Sequence, residues 1–307
     1  MRRLPLVLLM LASASALALV AGCRGPSPTA SGDPVPPGSS AQVLAGREFR
    51  VYRPATLPLT APAPLVVMLH GGFGSASQAE EAYGWNDAAD RYGFVVAYPD
   101  GVGRAWAVGD GCCGEPGRTG VDDVGFVTAV VSNLSGRLPM DPKRLYVTGM
   151  SNGAMMAYRL ACATDVFAAM APVAGTLLGS CPTPHRLSVL HIHGLADGNV
   201  PFDGSPGNGP GRIDGPPVPS TVDIWRTADA CMPAAVTTSG VVTTSTAACA
   251  GGRAVVLVTV TGAGHQWPGG TGRNVVQRAL GLDPPSDALD ATDTIWRFFA
   301  AHPAPPS

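Results

Sequence analysis

The chain has 307 residues, of which 14% are charged, and its formal net charge is -2. Acids and bases in near balance leave no basic face to collect phosphates, which excludes nucleic acid as a partner. An apolar fraction of 46% excludes a disordered chain, and the length is ample for a full buried core.

The N-terminus reads as an export signal rather than as part of the fold. Arg2 and Arg3 precede an apolar run over residues 4–20, which leads into Val20-Ala21-Gly22-Cys23. These four residues resemble a bacterial lipobox. That implies residues 1–22 as a signal peptide, cleavage before Cys23, and a lipid on the Cys23 thiol that anchors the mature protein to the membrane, with release into the medium as a second form. Residues 23–42, rich in Pro, Gly and Ser, read as a tether, and residues 43–307 as one folded domain.

Within the domain, strand-like and helix-like segments alternate. Residues 48–53 look like an opening strand. The apolar runs at 65–69, 94–98, 144–150, 168–174, 187–193 and 254–260 suit strands buried on both faces. Helical spacing covers 78–92, 121–134, 152–162, 221–230 and 289–301, and a short strand is expected at 241–244. Residues 101–120 form an irregular, cysteine-bearing loop, and the Gly- and Pro-rich stretch 204–219 is an excursion near the rim of a site. Unbroken alternation predicts an α/β architecture with one mostly parallel sheet covered by helices on both faces.

Six cysteines remain beyond Cys23, and an even count in an exported chain points to disulfides. Cys231 is expected to pair with Cys249, because a helix ends at the first and a strand and turn return the second. Adjacent Cys112 and Cys113 are expected not to pair with each other, leaving one each for Cys162 and Cys181. Without a CxxC pair or a His-Cys cluster, neither a metal nor another cofactor is expected.

The chemistry is concentrated in Gly149-Met150-Ser151-Asn152-Gly153, which lies between a strand-like run and a helix. A G-x-S-x-G turn of this kind presents its serine on the sharp elbow of an α/β-hydrolase, so Ser151 is the candidate nucleophile. In that fold the acid and then the base follow the serine in sequence. No glutamate follows Glu115, so the acid must be an aspartate. Asp197, in His193-Gly194-Leu195-Ala196-Asp197, follows a buried strand directly and is preferred, with Asp203 in reserve. Only His265 and His302 come after it, and His302 sits among prolines and alanines at the chain end, so His265 is the candidate base. The oxyanion donors are assigned to the backbone N–H groups of Asn152 and Gly72, the latter in His70-Gly71-Gly72-Phe73, with Phe73 as the close alternative. His70 precedes the serine and reads as structural.

These motifs, together with Tyr98-Pro99-Asp100-Gly101, Cys113-Gly114, Val121-Asp122-Asp123-Val124-Gly125-Phe126 and Gly264-His265-Gln266-Trp267-Pro268-Gly269, span nearly the whole domain. The chain resembles the secreted esterases grouped as polyhydroxybutyrate depolymerase and feruloyl esterase relatives. The resemblance implies an α/β-hydrolase fold without a metal, a serine esterase acting through an acyl-enzyme on Ser151, and small or polymeric ester substrates of hydroxyalkanoate or hydroxycinnamate type. It also implies that Trp267 and Phe73 border the substrate. Trp106-Ala107 departs from the Trp-Asn expected there. An acyltransferase on the same fold is the competing enzymatic reading, and a non-catalytic, glycan-binding envelope lipoprotein is the non-enzymatic one.

Overall fold

Among the described residues ten strands, numbered in chain order, form one sheet in the order β1-β2-β4-β3-β5-β6-β7-β10-β9-β8. The computed structural model describes residues 35–271 and 283–305. The expected signal peptide, Cys23 and most of the expected tether lie outside them. The central strands are β3 (Ala63–Leu69), β4 (Val95–Pro99), β5 (Met140–Met150), β6 (Ala169–Val173), β7 (Ser188–Gly194) and β10 (Ala254–Val260). They pair in parallel. All but β5 are buried at every position, as their apolar runs require.

Side chains alternate across the sheet and divide the core in two. Leu65, Val67 and Leu69 of β3 face one layer, which holds α4 (Asp123–Ser135), α5 (Asn152–Ala163) and α6 (Val218–Ala228). Val66 and Met68 face the other, which holds α1 (Ala76–Ala82), α2 (Trp85–Tyr92) and the closing helix α7 (Ala291–Ala301). In this second layer Trp296 stacks on Phe94 and Phe299 on Tyr146, so α7 is held by aromatic faces. Three loops from the C-terminal ends of β5, β7 and β10 meet at one edge of the sheet, where ligands sit in open α/β sheets.

Several expectations change. Part of the expected tether is a strand: β1 (Gly38–Leu44) pairs antiparallel with β2 (Arg47–Arg53), and Val35 is already buried, its carbonyl accepting from Arg53 at 2.8 Å. The single helix expected over 78–92 is two, because Gly84 adopts φ 71° between them. The strand expected at 241–244 is the start of β9 (Val242–Ala248), which forms a hairpin with the wholly exposed edge strand β8 (Ala235–Ser239). A short helix, α3 (Gly114–Thr119), stands inside the 101–120 loop.

The cysteines pair as Cys112–Cys113, Cys162–Cys181 and Cys231–Cys249. The third pair is as expected. The first corrects the sequence reading, which expected these neighbours not to pair with each other; across a trans peptide Cα atoms stand about 3.8 Å apart. The Cys112–Cys113 peptide is cis and the Cα atoms lie 2.9 Å apart, so adjacent sulfurs meet. Cys162, on α5, and Cys181 are then left to each other, with Cα atoms 5.5 Å apart.

Candidate active site

Ser151 stands between β5 and α5 with φ 55° and ψ -118°, a conformation that non-glycine residues seldom adopt and that local packing must enforce. The packing is tight enough to demand glycine. A Cβ at Gly149 would lie 2.5 Å from the Gly153 carbonyl carbon and 2.9 Å from the Leu69 oxygen. Strand, turn and helix therefore cross at van der Waals distance, and the Ser151 side chain is held at the apex.

His265, in the turn after β10, accepts the Ser151 Oγ–H at Nε2, 2.9 Å away, and donates from Nδ1 to Asp197 Oδ2 at 2.8 Å. The two loops approach because β7 and β10 are neighbours, with Gly194 paired to Val260. Gly194 permits the contact, since a Cβ there would meet the carbonyls of Ala263 and Gly264. Both His265 and Asp197 are buried. Burial pushes the Asp197 carboxyl up, but the His265 hydrogen bond and charge, His193 and the Val200 N–H outweigh it and hold the group below the usual carboxylate range. Asp197 Oδ1 accepts the backbone N–H groups of Asn199 and Val200, each at 2.8 Å. Asp203 and His302 are not brought in: Asp203 accepts from Ser205, and His302 donates to the Phe298 carbonyl.

The loop after β3 runs alongside. The Phe73 N–H is committed to the Arg104 carbonyl at 2.8 Å, whereas the Gly72 N–H makes no such bond among the described residues, so Gly72 is the better oxyanion candidate of the two. Asn152 starts α5 and its side chain is locked, accepting the Trp106 N–H at 2.7 Å and donating to the Trp106 carbonyl at 3.2 Å. The Trp106 ring in turn donates to the His70 carbonyl at 2.8 Å, and His70 Nε2 accepts the Gly101 N–H at 2.9 Å. His70 thus has the structural place expected of it. Asp123 closes the same region, accepting the Ala107 N–H and an Arg47 guanidinium N–H, each at 2.7 Å. The backbone of residue 107 supplies this contact whether or not the side chain is polar.

A cleft of about 470 Å³ opens over Ser151 and His265. Phe73, Arg104, Ile213 and the Cys112–Cys113 disulfide line it, and Ile213 comes from the Gly- and Pro-rich excursion. Phe73 is half exposed there. Trp267 corrects the sequence reading: it is buried, stacks on Tyr83 and donates to Thr292, and Tyr83 is the ring that faces the cleft. Its adjacency to His265 misled because the chain turns inward after the base. Two further features escaped the sequence reading. Asp283 accepts the His265 N–H at 2.7 Å and returns its own N–H to the His265 carbonyl at 3.0 Å. His191 and His193 lie behind Asp197, and their i, i+2 spacing on one buried strand was the available signal.

Comparison with known proteins shows the family and the fold. The chain is 39% identical over 260 residues to the provisionally named esterase NocK of Nocardia uniformis subsp. tsuyamanensis, covering 75% of this chain and 73% of that protein. It is 35% identical over 153 residues to feruloyl esterase B of Piromyces equi, covering 46% of this chain but 27% of that longer protein. Among solved structures, acetyl xylan esterase from Aspergillus awamori superimposes with a TM-score of 0.61 at 15% identity, over 86% of this chain and 99% of that one, which shows the α/β-hydrolase fold. Residues 48–192 match the family model described as "Esterase PHB depolymerase", and the chain belongs to that esterase family.

Proposed function

We propose that the protein is an exported serine carboxylic ester hydrolase that works through an acyl-enzyme on Ser151. The observation that carries this reading is the unbroken line of hydrogen bonds from Asp197 through His265 to Ser151 beneath an open cleft. Because His265 Nδ1 donates to Asp197, its Nε2 is the acceptor and can take the Ser151 proton. The alkoxide attacks the acyl carbon, and the developing oxyanion meets the N–H groups of Gly72 and Asn152. His265 then hands its proton to the departing alcohol, and water resolves the acyl-enzyme by the same route in reverse.

The substrates are esters of hydroxyalkanoate or hydroxycinnamate type, in keeping with the family and with a cleft lined in part by Phe73 and Ile213. Three disulfides support export, since such bonds persist in oxidising compartments. The lipobox supports an anchor on Cys23. The purified domain should label with a serine-reactive phosphonate and hydrolyse p-nitrophenyl esters, methyl ferulate or a polyhydroxybutyrate film. Ser151→Ala should abolish labelling and lower kcat by on the order of 10⁴-fold or more. Labelling that persists in the variant would refute the assignment.

A further inference from the structure

Behind the proposed triad lies a second set of polar side chains that the reaction does not touch. His191 and His193 point to the same face of β7, and Tyr158 of α5 meets them there; all three are buried. The Tyr158 hydroxyl is 2.6 Å from His191 Nδ1, His191 Nε2 is 2.9 Å from His193 Nδ1, and His193 Nε2 is 2.8 Å from the Val200 carbonyl. A carbonyl only accepts, so His193 carries its proton on Nε2. A neutral His193 then accepts at Nδ1, which places the His191 proton on Nε2 and leaves His191 Nδ1 to accept from Tyr158. All the donors point one way, toward the loop that bears Asp197.

We propose that Tyr158, His191 and His193 form a one-way hydrogen-bond chain that positions Asp197 from behind and so sets how firmly it holds His265. The inference rests on the reading of Ser151, His265 and Asp197 as a triad. The chain reaches the carboxylate through Val200, which accepts from His193 at its carbonyl and gives its N–H to Asp197 Oδ1. His193 Nε2 also stands 3.4 Å from Asp197 Oδ2, the oxygen that accepts from His265.

The groups facing the chain from each packed element are few. His265 approaches from the loop after β10, Asp197 from the loop after β7, and Tyr158 from α5. The Trp225 ring of α6 packs at a tilt against Tyr158 and the Phe202 ring against His193, and neither carries a charge. Burial, with some help from His193, pushes His191 far down, and burial also lowers His193 against the opposing pull of Asp197 and the Val200 carbonyl. Burial raises the Tyr158 phenol well above its ordinary value. The chain therefore stays neutral and keeps its direction. A wholly satisfied network of this kind fixes one arrangement, because any broken link leaves a buried donor or acceptor unpaired.

With the donor dipoles aimed at it, the carboxylate is partly compensated. Losing them makes it a stronger partner for the His265 imidazolium and a less well-oriented one. Tyr158→Phe keeps the ring against Trp225 and removes only the first donor. We expect the acid limb of kcat/KM to rise by about 0.3–0.5 pH, with kcat down about threefold to tenfold and KM within about twofold. His193→Gln should move the acid limb the same way and further. ¹⁵N spectra of the unaltered protein should show His191 and His193 neutral with protons on Nε2. A Tyr158→Phe protein that loses only thermal stability, with the acid limb unmoved, would overturn the proposal, as would a proton on His193 Nδ1. The tautomers are read without turnover, so failure of the chain is distinct from failure of Ser151 to label.

Discussion

Acid should destabilise this protein earlier than carboxylate chemistry alone would allow, because His191 and His193 are buried without charge. In the unfolded chain both titrate near the ordinary value of 6.5, and in the folded protein both are lowered, His191 far more so. Between the two values the unfolded chain binds protons that the folded one refuses, so stability falls as pH falls through that window. One histidine that stays neutral throughout loses about 2 kcal/mol between pH 7 and pH 5, from the ratio of its unfolded-state proton binding at those two pH values. His193 contributes less than this because Asp197 pulls against its burial, so the pair should cost about 2–4 kcal/mol. That is a large fraction of the roughly 5–15 kcal/mol that holds an ordinary domain together.

The window is separable from the carboxylates. Asp197 is lowered, so its contribution is lost only below its unfolded value of 3.8. Asp123 and Asp229 are raised by burial and act in the opposite sense, gaining stability as pH falls. Urea unfolding at pH 7, 6 and 5 with the disulfides intact, followed by tryptophan fluorescence, reads the histidine term directly. An unfolding free energy that stays constant from pH 7 to pH 5 would refute the account.

Other consequences can be tested one at a time. Asp197→Asn should lower kcat by about 10⁴-fold through loss of the correct His265 tautomer, whereas Asp203→Asn should stay within about twofold in an ester assay; the reverse ranking would reassign the acid. Gly194→Ala places a methyl group against the Ala263 and Gly264 carbonyls and should displace the base loop. It should cost about 1–3 kcal/mol in a denaturant melt and on the order of 10²-fold in kcat. Replacing both Cys162 and Cys181 by serine opens a loop with a sequence separation of 19 and should lower stability by about 3 kcal/mol, with activity at room temperature retained.

Much of this molecule was legible because its central strands are buried on both faces, which writes them as apolar runs. The site was legible for a different reason. A fixed order of serine, acid and base, applied to a chain with no late glutamate and two late histidines, leaves little choice. The β8–β9 hairpin was harder, since Ala235–Ser239 is exposed throughout and has no face to bury. Cys112 and Cys113 were misjudged because their pairing depends on one peptide bond whose isomer carries no compositional mark. Trp267 was misjudged because proximity along the chain to His265 says nothing about the direction of the turn that follows. Asp283 acts on the backbone of residue 265, and contacts of that kind leave no pattern in side-chain spacing.

The pair of hydrogen bonds between the Asn152 amide and the Trp106 peptide has a practical side for anyone reshaping the cleft. The residue whose backbone faces the proposed oxyanion also clamps, through its side chain, the loop that carries Arg104 and the Cys112–Cys113 wall. That wall is indexed to the reacting centre, and a substitution that shifts the Trp106 peptide shifts the centre with it. The opposite wall is reached differently. Ile213 arrives on a segment tied by the Asn208 N–H to the Gly198 carbonyl, one residue beyond Asp197. Substitution of Ile213 should therefore change selectivity with the Asn152–Trp106 contact left in place, whereas changes that move Trp106 should alter selectivity and rate together.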